Sequence, residues 1–158
     1  MLVEFAFLAP VLILLFFGTI EVVQAVQAQR KLAHVGAAIG DVVARERSLS
    51  PTELQDVLAA GPAMMAPFPG AALGERVMSF SADDKGVIRR DWQVLGPAYV
   101  GDAPASLPAG SLRAGESVIV TDVSYAYSPM FSLAVSRPLQ FQKRTLHRPR
   151  LGRSVELE

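Results

Sequence analysis

The first twenty residues constrain this chain more than any other feature. Sixteen of the residues in Met1–Ile20 are apolar, and the exceptions are Glu4, Pro10, Gly18 and Thr19. As a helix, such a run is about 30 Å long, the thickness of a bilayer's hydrocarbon core. A helix apolar on every side needs a large surrounding core if it lies inside a soluble fold. In a chain of 158 residues the remainder is too small to supply one. The run therefore reads as a membrane segment. The whole chain is 51% apolar, but with the run set aside the fraction falls to about 47%, which is ordinary for a globular domain.

Three membrane readings compete. A cleavable signal peptide would use Val26-Gln27-Ala28 as its cleavage site, but no Lys or Arg precedes Ile20, so the basic n-region is missing. A plain signal anchor fits the length but leaves Glu4 and Pro10 unused. A pilin-type helix uses both. A carboxylate in an apolar segment costs a few kcal/mol and commonly faces a partner. Glu4 has two readings on physics alone, a partner-facing group or a hydrated one at headgroup level. Pro10 removes one intrahelical hydrogen bond and loosens the helix, or is simply tolerated there.

The helical pattern continues past the apolar run. Val22, Val26, Leu32, Val35, Ile39 and Val42 or Val43 recur at mostly helical spacing, with Gln24, Gln27, Gln29, Arg30 and Lys31 on another face, and no proline falls in Val11–Ser50. One helix over Leu2–Arg45 would be about 65 Å long. Its outer half must lay an apolar stripe on something.

Ser50-Pro51-Thr52-Glu53 predicts a helix start, with Ser50 as N-cap, Pro51 in the first turn and Glu53 closing a capping box. Leu54, Val57 and Leu58 supply its apolar face, and Gly61-Pro62 reads as its stop. Met64, Met65 and Phe68 read as core plugs in a loop. Strands are expected at residues 75–82 and 87–94, joined by the turn Asp83-Asp84-Lys85-Gly86. A long loop follows from Gly96 to Gly115. Ser117–Tyr127 is the strongest strand, with Ile119, Thr121, Val123, Tyr125 and Tyr127 on one face, and Leu139–His147 is another. The expected fold class is α+β: a long N-terminal helix packed on a small, mainly antiparallel sheet, with one short extra helix.

The chemistry of the side chains excludes more than it suggests. Fifteen basic and fifteen acidic residues give zero net charge, which argues against nucleic acid as a partner. The absence of Cys excludes a disulfide framework and any thiolate nucleophile or metal site. His34 and His147 have no partner at metal-ligand spacing, so no metal and no cofactor is expected. No G-x-S-x-G, S-x-x-K or phosphate-loop motif occurs, and no catalytic residue is proposed. The last 22 residues hold six basic groups against two acidic ones. Lys143, Arg144, Arg148 and Arg150 are a candidate docking patch for an acidic surface, or positive charges that protect an edge strand.

Val3-Glu4-Phe5-Ala6-Phe7-Leu8-Ala9-Pro10, followed by Phe17-Gly18-Thr19-Ile20-Glu21, resembles the start of TadE-like proteins. These are pseudopilins of the tight-adherence (Tad), type IVb pilus. The pattern is V-E-F-A-x-x-x-P, an apolar run and G-x-x-E, and every position matches. Val123–Pro129 and Arg148-Pro149-Arg150 resemble the C-terminal part of some members. The resemblance implies a pilus assembly protein, a minor pilin of the cell-adhesion machinery and not an enzyme. It implies a transmembrane half at 1–20, an amphipathic periplasmic half of the same helix at 21–47 and a globular α+β periplasmic domain at 48–158. The protein would sit single-pass in the bacterial inner membrane, or in the extracellular pilus. Its partners would be the N-terminal helix of the major pilin, a sibling minor pseudopilin, the inner-membrane assembly platform, the prepilin peptidase and membrane lipid. Glu4, Phe5, Pro10, Gly18 and Glu21 would serve filament assembly and helix packing, with Glu4 pairing to a neighbour's terminal amine. The other readings are a signal-anchored periplasmic binding module or enzyme, with its active groups in Gly96–Gly115 or the sheet, and a secreted domain lacking the first 28 residues.

Overall fold

The structure is a computed structural model that describes residues 2–131 and 137–158, and side chains within the first helix from Phe5 onward. Helix α1 spans Leu2–Arg45 without interruption and contains Pro10. It is long and apolar enough to cross a membrane. The expected span is met at both ends.

After α1 the chain forms strand β1 (Ser48–Leu49) and helix α2 (Pro51–Met64). Ser50 caps α2: its hydroxyl accepts from the Glu53 N–H at 3.2 Å, and the Glu53 carboxylate accepts from the Ser50 N–H at 2.8 Å. These bonds hold the Glu53 pKa below the usual carboxylate value. Leu54, Leu58 and Gly61 form the buried face. Gly61-Pro62 does not stop this helix, which continues through Pro62 to Met64. Gly61 serves packing instead: a Cβ there would lie 1.8 Å from Glu75 Oε1. The expected core plug is present, with Met65 fully buried and Met64 and Phe68 partly so.

Four strands form one antiparallel sheet in the order β3-β2-β4-β5. They are β2 (Leu73–Ala82), β3 (Ile88–Leu95), β4 (Ser117–Tyr127) and β5 (Leu139–His147). Asp83 shapes the β2–β3 turn by accepting from the Lys85 and Val87 N–H groups, both at 2.9 Å. A bulge at Asp91 of β3 lies opposite Ser79 and Phe80 of β2, which pair with Trp92 and Arg90. A final strand β6 (Glu156–Leu157) pairs in parallel with β1. This two-residue pair was not expected, because strands so short carry no periodicity to read.

The core lies between α1 and the sheet. Ala28, Leu32, Val35, Ile39 and Val43 of α1 meet Val77, Ile119, Val123, Tyr125 and Tyr127. Gly36 and Gly40, one helical turn apart, let the backbones approach. A Cβ on Gly36 would lie 3.0 Å from Val123 Cγ2, and one on Gly40 would lie 2.4 Å from His147 Nδ1. His147 is thus half-buried against the helix, not solvated among arginines as its sequence neighbours suggest. β4 runs antiparallel to α1, so Tyr127 ends beside the apolar first half of the helix.

The opposite face of the sheet is also covered. Residues 96–116, a loop without regular structure, lay Leu107 and Leu112 over Met78, Phe80, Val118 and Val120. This explains why β2 and β4 are buried on both sides.

Candidate functional site

The domain covers only half of α1. Among the described residues, Phe5, Phe7, Leu8 and every residue of Val11–Phe16 are exposed. From Glu21 onward the inward face is buried, beginning with Glu21 itself and continuing through Ala28. A hydrophobic stripe on all sides at one end and on one side at the other matches two different surroundings, lipid or other helices below and the sheet above.

An apolar groove of about 480 Å³ marks the junction. Leu14, Leu15, Gly18 and Val22 of α1 form one wall, and Tyr127, Pro129 and Leu139 of the domain form the other. A Cβ on Gly18 would meet nothing within 4 Å among the described residues. Glu21 is 8% exposed at the rim of this groove and its charge reaches Tyr127. Burial raises the Tyr127 hydroxyl pKa, and the Glu21 charge adds to it. Phe5 and Pro10 lie on the bare part of the helix, both exposed. The Glu4 side chain lies outside the described residues. Of the five helix positions expected to serve assembly, Gly18 and Glu21 meet at the groove, and Phe5 and Pro10 lie about two to four turns below it.

The four basic residues of the candidate docking patch lie in different environments. Arg144 turns onto the outer face of the sheet. Its Nε donates to Asp122 Oδ1 at 2.7 Å and its Nη2 to Asp122 Oδ2 at 2.9 Å. Arg76 grips the same carboxylate, with Nε at 3.1 Å and Nη2 at 2.5 Å from Oδ2. The remaining guanidinium donors reach the loop, to the carbonyls of Ala103 and Pro104, both at 2.6 Å. Tyr99 stacks under Arg76, with the guanidinium carbon 4.7 Å from the ring centre. Asp122 hydrogen bonding raises the Arg144 pKa. Arg148 lies 3.4 Å from Glu116, and Arg150 pairs with Asp41 of α1, which also holds Arg45. Lys143 is exposed on edge strand β5. Three of the four cations thus have an acidic partner within the chain.

Asp122 and Arg76 were not singled out from the sequence. An aspartate and an arginine on strands 46 residues apart give no signal of pairing until the β2–β4 register sets Arg76 opposite Asp122. The glycines at 36 and 40 did carry a signal, a four-residue spacing on the apolar stripe of a helix that must meet a sheet.

No curated protein and no solved structure matches the chain. Residues 1–39 match the family model described as TadE-like protein, so the helix that this domain grips is similar to a TadE-like helix.

Proposed function

We propose that this protein is a minor pseudopilin of a Tad-type, type IVb pilus. It is a structural subunit, not an enzyme, that helps initiate or assemble the filament. One observation carries the reading: a TadE-like helix is gripped by its own domain along one half and left bare along the other. Bare apolar surface of that extent needs lipid before assembly and other helices after it. The domain stands on the periplasmic side of the inner membrane, and the subunit enters the pilus helix first. Its partners are the major pilin helix, a sibling minor pseudopilin, the assembly platform and the prepilin peptidase.

In this scheme Glu4 pairs with a neighbouring subunit's terminal amine in a dry helical bundle, where a buried pair sets register more than stability. Phe5 packs beside it, Pro10 loosens the helix, and Gly18 with Glu21 admits a neighbouring helix at the groove. Lys143 is available to an acidic neighbour, with Arg148 and Arg150 at its margin. Complementation of a deletion strain tests the reading. Glu4→Ala should leave the protein at normal level in the membrane and abolish piliation. Normal pili in that strain would contradict the role of Glu4. Gly18→Leu should likewise spare the protein level, since no described residue lies against that position, and reduce piliation.

A further inference from the structure

We infer that residues 128–131, just after β4, are a second membrane contact, with Met130 and Phe131 seated among the acyl chains of the outer leaflet. The proposal rests on the reading of α1 as a membrane span. Phe131 packs on Phe17 with ring centroids 4.8 Å apart. Phe17 belongs to the apolar run and lies three residues before its end at Ile20, about 5 Å deep along the helix axis. A side chain stacked on Phe17 therefore reaches below the end of the run, wherever the bilayer is centred on it. Met130 is 66% exposed and Phe131 38% exposed despite that contact. Water is a poor neighbour for these groups, and lipid is not.

The surroundings share this character. The wall of the groove between these residues and α1 is built from Leu14, Leu15, Val22, Pro129 and Leu139, continuous with the lipid-facing side of the helix. Phe68, Tyr127 and Phe141 form an aromatic cluster at the same end of the sheet, at centroid distances of 6.2 and 5.8 Å. Aromatic groups concentrate where protein meets the bilayer interface. A helix alone leaves the domain free to tilt and spin about its axis. A second point of insertion fixes which face of the domain meets the membrane, and so presents the groove at a constant height to an arriving helix.

The chain contains no cysteine, so single cysteines can carry nitroxide spin labels without a background. The test uses the full chain in vesicles of phosphatidylethanolamine and phosphatidylglycerol at high lipid-to-protein ratio. Phe16→Cys, Met130→Cys and Val100→Cys are compared for collision with oxygen and with a polar nickel chelate. Phe16 is exposed within the run and Val100 is 75% exposed on the outer loop. The Met130 label should match the Phe16 label, with nickel collisions about tenfold below those at Val100, because the chelate is excluded from hydrocarbon. If the Met130 label behaves as Val100 does while Phe16 reads as lipid, the second contact is refuted and the membrane span stands. If Phe16 itself collides freely with nickel, both fall. A Met130 label shielded from both reagents would mean that protein, not lipid, covers these residues, and would also overturn the proposal.

Discussion

Asp122 is the residue on which the outer half of the domain depends. It is 2% exposed and accepts from two arginines that also hold the carbonyls of the 96–116 loop. Removing a buried partner leaves its counter-charges uncompensated. Asp122→Ala should lower stability by about 3–5 kcal/mol, measured by denaturant unfolding of the detergent-solubilised chain. A loss below that of a typical exposed pair would contradict the clamp. Glu75 offers a different test. It is 3% exposed under α2, Oε1 finds no hydrogen-bond partner among the described residues, and burial raises its pKa from 4.5 to about 7. The folded state thus holds this proton more tightly than the unfolded one. Its stabilising effect is complete below pH about 4.5 and disappears as pH rises through about 7, a loss of roughly 3 kcal/mol. Glu75→Gln should flatten that slope and raise the melting temperature at pH 8 above that of the parent. An unchanged slope would show that Glu75 is not the group responsible. Neither residue announced itself in the sequence, since an acid within an alternating strand reads as a solvent-facing position.

The elements were legible in proportion to their length and capping. α1, β4 and β5 have the expected bounds, because long runs of consistent period leave little choice. The start of α2 was readable from its capping box, but its end was not. Gly61 carries the same letter whether it stops a helix or admits Glu75 to it. The loop over 96–116 showed only its glycines and prolines, and its role as the second cover of the sheet depends on the arginine contacts. The seam between α1 and the sheet depends on small residues. Gly40→Ala should cost about 1–3 kcal/mol, because its Cβ would overlap the His147 ring. In a double-mutant cycle His147→Ala should recover part of that loss, with a coupling of about 1 kcal/mol. Strict additivity would mean that the two side chains do not meet.

At the scale of the whole molecule, one helix belongs to two environments. The division between them falls near Glu21, where exposure on all sides gives way to a buried stripe. The stretch with a recognisable family pattern, residues 1–39, crosses that boundary, whereas the domain beyond it was readable in shape and its partners are set by surface detail. The central claim is that the bare half of α1 packs on the helices of other pilus subunits. Crosslinking from that half tests it most directly. A cysteine at Leu12, exposed on the bare helix, is joined in living piliated cells to cysteines placed in the apolar helix of the major pilin. The account predicts a specific heterodimer that disappears with Glu4→Ala. A Leu12 cysteine that yields no adduct with pilus subunits in piliated cells, while the protein is present in the membrane, would contradict it.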